Sequence, residues 1–438
     1  MITLPTLIEQ IKGESHTLGV DIGSQAIKAV LTHHFADGRI EVEKATLVEL
    51  RKGVIRDGQI ASEEASKDPD GALEGITPRQ WIRRTLDDVY HRLGVNPQDV
   101  DLCVSPPWSG GLLIDHFQIS EKNDPRLEAQ KRPPFDGSDI ILDHQVIGHV
   151  TTEDNRKMVD VLFAAARDRV IHEWGSLFRE AKSDPMAFDA DIFAQFNAWS
   201  MLYETEEKLR REEEEKKNPP EKKGKKDKKD KKSKKAEEAP KPEEKPAEGE
   251  APAEGEKPAE GAEGAEGAEE ASSHRGAIAL LCVGMQRVVV TFVIDGQFHS
   301  SREVTGASLT AFERTLARRA NFPPDQDVDA LLRDETLWPE TELFRLAFRQ
   351  ASSDLGTGVQ QAIQYFYSAT ANTNIDKVLL CGGGACIPGI AAMLGKKIHL
   401  PVEVFDPLAT FPPTKLAAIG PNESPLLATA FGLSIRRF

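Results

Sequence analysis

The chain lacks any run of about 18 apolar residues, the length a helix needs to cross a hydrocarbon core, so no spanning helix is expected. Met1–Lys12 lacks the basic start and the longer apolar stretch of a secretory leader, which places the protein in the cytosol by expectation. Excess positive charge is also missing. The 55 Lys and Arg against 71 Asp and Glu leave a formal charge of −16, which argues against a general nucleic-acid binder. Cysteine is scarce: Cys103, Cys282, Cys381 and Cys386 are the only 4, none in a Cys-x-x-Cys pair near a histidine, and they read as buried free thiols. His144, His149 and His172 show no metal-ligand spacing. No Gly-x-Gly-x-x-Gly follows the first strand, which excludes an ordinary dinucleotide-binding fold.

Two glycine-bearing segments stand out against these absences. In Leu18-Gly-Val-Asp21-Ile-Gly23-Ser24-Gln25-Ala-Ile-Lys28-Ala-Val, apolar residues flank a short polar turn, which reads as strand, tight turn and second strand. A glycine lets backbone N–H groups approach a phosphate, Ser24 and Gln25 add donors, and Asp21, with no obvious partner, suits the hydration shell of Mg²⁺. The same residues also suit an ordinary hairpin with Asp and Gly serving the turn. The second segment is Val378-Leu-Leu-Cys-Gly382-Gly383-Gly384-Ala-Cys-Ile-Pro388-Gly389, a short buried strand, glycines, then a helix over 390–397. Such a loop lets a flat base or ribose lie against backbone. The pair suggests a nucleotide held between two lobes.

These residues resemble the actin-like ATPase superfamily, and within it the FtsA and PilM branch, the latter being type IV pilus assembly proteins. Three further stretches carry the likeness: Leu127 to Gly148, Asp160 to Arg167, and Phe188-Asp189-Ala-Asp191-Ile-Phe193-Ala194, which is similar to the family's "VVDVEAFAL" connection. The ending Ser424 to Arg436 is similar to the family's closing helix. One departure stands in Ala277-Ile-Ala-Leu-Leu-Cys282-Val283-Gly284. There the family's second phosphate hairpin begins Asp-Ile-Gly, and Cys282 takes the aspartate's place. A neutral thiol cannot orient a metal's water shell as a carboxylate does, so weak or absent hydrolysis is expected.

The resemblance implies an α/β, actin-like (ribonuclease H-like, duplicated) two-lobed fold. Its parts are expected at 16–105 for a first lobe, 106–182 for an inserted subdomain, and 183–204 for a connecting helix. The second lobe is expected at 274–424 and a final hinge helix at 425–438. Residues 205–273 form a Lys-rich block followed by a Glu/Pro/Ala/Gly-rich block without an apolar face, a composition that predicts disorder. Helices are expected at Pro78–Leu93, Asp191 to about Arg211 with Phe193, Phe196, Trp199 and Leu202 buried, and Glu342–Ser368 with Phe344, Leu346 and Ala347 among its apolar positions. The residues expected to hold nucleotide are Asp21, Gly23, Ser24, Gln25, Lys28, Gly284, Gly382, Gly383, Gly384, Pro388 and Gly389, with Asp21 also at the metal; none is assigned a catalytic role.

The function that the resemblance implies is a nucleotide-binding scaffold with ATP and Mg²⁺. It would take the cytosolic N-terminal peptide of a PilN-like, single-span inner-membrane partner and, through it, meet pilus motor components. Alternatives on the same fold are an FtsA-like filament protein, a split GspL-like secretion component, and an active kinase or ATPase. FtsA-like proteins end in an amphipathic membrane helix, and this sequence runs only to Ser434-Ile-Arg-Arg-Phe438.

Overall fold

In a computed structural model the described residues are 13–64, 75–108, 112–131, 139–152, 154, 156–217, 276–370, 373–411, 419–420 and 422–438. The predicted disordered segment lies outside them from 218 on.

Alternating apolar residues build the first sheet. β1 (Ser15–Ile22), β2 (Ala26–His34) and β3 (Ile40–Glu49) run antiparallel in register, with Asp21 opposite Lys28 and Ile22 opposite Ile27. A two-stranded ribbon of β4 (Ile55–Arg56) and β5 (Gln59–Ile60) follows. α1 (Pro78–Leu93) begins where Thr77 caps the Gln80 N–H and the Gln80 side chain answers at the Thr77 N–H, with proline at the first position; it ends at Gly94, φ 63°. Its buried face, Ile82, Leu86 and Val89, packs over β2 and β3 and shares one core with Leu18, Val20 and Ile22 of β1. β6 (Asp101–Ser105) then pairs parallel to β1.

The chain next leaves this sheet. β7 (Leu112–Ser120), the short α2 (Pro125–Gln130), β8 (Ile140–Thr151) and β9 (Lys157–Arg167) form a separate sheet in the order β7-β9-β8 around Phe117, Val161 and Phe163. α3 (Asp168–Glu180) returns, and its Trp174, Leu177 and Phe178 join the first-lobe core. The expected 106–182 module thus keeps its sheet within 112–167, while its last helix packs into the first lobe. β10 (Ala187–Phe188) closes the first sheet beside β6.

The second lobe repeats the pattern. β11 (Ala277–Val283), β12 (Val288–Ile294) and β13 (Gln297–Glu303) are antiparallel, β14 (Ile375–Cys381) runs parallel to β11, and β15 (Val402–Val404) parallel to β14. The β12–β13 turn is Asp295-Gly296 with φ of 50° and 77°, the left-handed pair that a two-residue hairpin needs. Counted within each lobe, both sheets have the strand order 3-2-1-4-5, which is the duplication expected of the actin-like fold.

Helices link the two sheets. α4 (Asp191–Lys217) leaves the first lobe. It runs past the predicted end because its Glu- and Lys-rich continuation still favours helix. Its most buried residues are Ile192, Ala194, Gln195, Ala198 and Trp199, whereas Phe193, Phe196 and Leu202 are half-buried. The predicted large-residue face was therefore shifted, because small residues mark the tightest contact. In the second lobe lie α5 (Leu309–Ala320), capped by Ser308, α6 (Val328–Arg333) and α7 (Glu342–Ala369). Leu346 of α7 is 52% exposed, not part of the predicted apolar face, since Phe344, Ala347 and Phe348 take the core side. α8 (Ile390–Ile398) follows the glycine loop. The predicted final helix divides into a 3₁₀ turn at Ser424–Leu427 and α9 (Ala428–Ser434).

Candidate functional site

Residues from both lobes line one cavity of about 800 Å³. Asp21, Gly23, Ser24, Gln25 and Lys28 reach it from the first hairpin, Gly284 from the second, and Gly382 and Gly383 from the glycine loop. Gly384, Pro388 and Gly389 do not line it. Gly384 is buried, and a Cβ there would fall 2.5 Å from the Val283 side chain, so its small size serves packing. Gly389, at φ 75°, starts α8 behind Pro388.

Within the first turn the Gly23 N–H donates to the Ala26 carbonyl at 2.9 Å. Asp21 and Lys28 face each other across the strands, and the ammonium reaches the carboxylate at 2.5 Å. The expectation that Asp21 has no partner is thereby corrected, because directly opposed residues share one face of a hairpin. Burial pushes the Asp21 carboxyl above its usual range, against the pull of Lys28, and the nearby Asp191 carboxylate adds to the rise.

The second turn has the same geometry. The Gly284 N–H donates to the Arg287 carbonyl at 2.9 Å, and Cys282 pairs with Val289 as Asp21 pairs with Lys28. Structure and resemblance agree that Cys282 is the counterpart of Asp21. Where the first turn carries Ala26, the second carries Arg287. Its guanidinium crosses to the first lobe, donating to the Asp191 carboxylate and, at 3.1 Å, to the Trp108 carbonyl. Burial is the largest single influence and opposes the Arg287 charge, but Asp191, with Glu303 and Cys282 adding to it, brings the net shift upward. The other Asp191 oxygen, Oδ1, is buried and has no hydrogen-bond partner among the described residues. A second bridge between the lobes runs from the Gly58 N–H to Gln286 Oε1.

The glycine loop leaves β14 at Gly382, φ 76°, where a Cβ would fall 2.8 Å from the Val283 carbonyl oxygen. Gly382 donates its N–H to the Pro425 carbonyl at 3.0 Å, tying the loop to the start of the closing helix. Beyond it the wall is charged: Glu313 of α5, and Asp329 and Arg333 of α6, which pair at 3.2 Å. Burial, then Asp329, pushes the Glu313 carboxyl up to about 7.

Asp191, Arg287, Glu313 and Arg333 belong to this site although the sequence reading gave them no role. Asp191 had a signal, since it sits in a stretch quoted for the family likeness; Arg287 and Glu313 had none. The carboxylates can be tested against a magnesium ion. A buried carboxylate oxygen without a hydrogen-bond donor, beside a second carboxylate, suits a hydrated hard cation. Asp191 Oδ1 and Asp21 provide that pair, so the residues present fit the ion.

The sequence model of the family described as Type IV pilus assembly protein PilM matches residues 271–438. No curated protein matches the chain. Among solved structures, the PilM-PilN type IV pilus biogenesis complex shares 16% identity over 96% of this chain and 97% of that one, with a TM-score of 0.61. The ethanolamine utilization protein EutJ from Carboxydothermus hydrogenoformans, at 12% identity over 96% and 89%, reaches 0.47. A diol dehydratase-reactivating factor in nucleotide-free form, at 8% over 96% and 99%, reaches 0.48. With its duplicated sheets the chain has the actin-like fold, and its second lobe is similar to the family described as Type IV pilus assembly protein PilM.

Proposed function

We propose that this protein is a nucleotide-binding scaffold of type IV pilus assembly that binds ATP with Mg²⁺ and hydrolyses it weakly or not at all. The observation that carries this reading is the convergence of two equivalent hairpin turns and the glycine loop on one cavity. Phosphate oxygens would accept from the turn amides around Gly23 and Gly284 and from the Lys28 ammonium, which then shares its charge with Asp21. Asp21 and Asp191 would hold the hydrated ion, which neutralises phosphate charge when bound. Gly382 and Gly383 leave room for the nucleoside. Cys282 places a thiol where a second carboxylate would complete the hydrolytic set, so bound nucleotide serves to hold the lobes together rather than to turn over.

The partner is an inner-membrane protein of the PilN kind, engaged through its short cytosolic N-terminal peptide. Among the described residues no helix is long and apolar enough to cross a membrane, so residence at the cytoplasmic face of that membrane would come through the partner. Titration calorimetry with ATP, with and without Mg²⁺, tests the nucleotide half. Asp21→Asn is expected to lose at least tenfold in Mg-ATP affinity; unchanged affinity removes Asp21 from the site. Capture of a single-span partner from detergent-solubilised membranes, stronger with Mg-ATP, tests the scaffold half, and capture of division proteins alone would favour the filament reading.

A further inference from the structure

At the opposite end of the first hairpin, away from the cleft, three side chains with metal-binding atoms converge. His16 on β1 and His33 on β2 are directly paired in the antiparallel register. Their rings stack with centroids 4.4 Å apart and an interplanar angle of 10°. Glu43 comes from β3, where the register steps from Leu31 opposite Lys44 to Thr32 opposite Val42. Glu43 is thus the extra residue of a β-bulge, a distortion that re-aims a side chain. Its Oε1 lies 3.4 Å from His16 Nε2.

The ligating atoms of His16, His33 and Glu43 all lie within 4.8 Å of one another. His33 Nε2 is buried and has no hydrogen-bond partner among the described residues. Glu14, just before β1, places its Oε2 3.7 Å from this nitrogen, which makes a fourth donor available. The Phe35 ring packs on His33 at 4.1 Å, with the Arg39 guanidinium over its face, and so covers one side of the cluster. The two histidine side chains are only 19% and 17% exposed.

We infer that His16, His33 and Glu43, with Glu14 as the fourth donor, form a binding site for a divalent transition ion of the zinc class. Two imidazole nitrogens with carboxylate oxygens are a donor set suited to Zn²⁺ in tetrahedral coordination. Ligand atoms around such an ion sit about 3.3 Å apart, from bond lengths near 2.0 Å, and His16 Nε2 and Glu43 Oε1 already stand 3.4 Å apart. The site is separate from the magnesium position. His16 precedes Asp21 by 5 positions on one strand, roughly 17 Å at about 3.3 Å per residue. An ion there would clip three strands at the end of the sheet remote from the nucleotide.

The test uses the full chain without a polyhistidine tag, stripped with chelator and titrated with Zn²⁺ against a chromophoric competitor. One equivalent is expected per chain, with affinity falling at least tenfold in His16→Ala and in Glu43→Gln and unchanged in His144→Ala and Cys386→Ser. Co²⁺ loading should give the intense visible bands of a tetrahedral site, lost in the same two variants. Should His16→Ala fail to fold, the near-isosteric Glu43→Gln and His33→Gln carry the comparison. Absence of stoichiometric uptake by the unaltered chain, or uptake that survives Glu43→Gln and His33→Gln undiminished, overturns the assignment.

Discussion

Replacing Gly432 with alanine should loosen the protein at the crossing that joins its lobes. Gly432 lies in α9, and a Cβ there would sit 1.7 Å from the carbonyl oxygen of Ala194 in α4. On the opposite side of α9, a Cβ at Gly19 would sit 2.1 Å from the Ala430 carbonyl oxygen. α9 is therefore clamped between a strand and a helix at backbone distance, and neither neighbour can rotate away as a side chain would. Restoring even 3.0 Å at Gly432 requires the helices to part by more than 1 Å. Overpacking of this kind costs roughly 1–3 kcal/mol, and a rigid carbonyl puts it near the top of that range. A helical Gly→Ala gain of about 1 kcal/mol offsets part of it, leaving about 2 kcal/mol. At about 2.1 cal/mol/K per residue, some 350 folded residues give an unfolding entropy near 0.7 kcal/mol/K, so Tm should fall by about 3 °C. Gly175 in α3 is the matched control: its nearest neighbour, an Arg179 nitrogen, is 3.5 Å from the built Cβ, an ordinary contact. Gly175→Ala should raise Tm by about 1 °C from propensity alone. Calorimetry on the two variants separates the cases. The same crossing sets how the lobes approach, so Gly432→Ala should also weaken ATP binding while Gly175→Ala leaves it intact. A Gly432→Ala protein as stable as the parent would refute the close contact.

Glu313 sets a pH dependence. Its carboxyl stays protonated in the folded protein up to about 7, against an ordinary value of 4.5. Between those values the folded state holds a proton that the unfolded state releases, so this group's contribution to stability declines as pH rises through that window. Glu313→Gln should therefore flatten the fall in Tm between pH 5 and about 7, and an unaltered profile would exclude the buried acid. The thiols give a third expectation. Burial, then Asp189, raises Cys103 to about 12, and burial raises Cys386 to about 11; the Cys386 thiol also donates to the Asn422 carbonyl at 3.2 Å. Native protein at pH 8 should label slowly at both with a thiol-exchange reagent and promptly in denaturant; fast native labelling of Cys386, mapped by mass spectrometry, would contradict this.

What the sequence made legible was whatever depends on local chemistry. The helix over Pro78–Leu93 was expected and is present, because apolar spacing and turn residues fix backbone geometry within a few residues. The first hairpin turn and the glycine loop were readable for the same reason, and both line the cavity. What stayed hidden depends on residues brought together from far apart. Arg287 looks like an ordinary turn residue until the second lobe places it against Asp191, and Glu313 looks like a surface helix acid until α6 closes over it with Asp329. Lys28 was readable as a phosphate ligand, yet its present partner follows from register: one step along β2 would have turned it to the other face. The final helix carries the small residues Ala428, Ala430 and Gly432, but only the fold shows Gly19 of β1 and Ala194 of α4 at backbone distance from it. The duplication shows the same division. Gly23 and Gly284 occupy matching turns, so the two halves could be paired from sequence. The exchange of Asp21 for Cys282 and of Ala26 for Arg287 changes the second turn from an acidic metal-facing element into a cationic strut that spans the cleft. Under the proposed function both turns offer amides to phosphate and the second adds the Arg287 brace to Asp191, an arrangement a scaffold needs more than a hydrolase does.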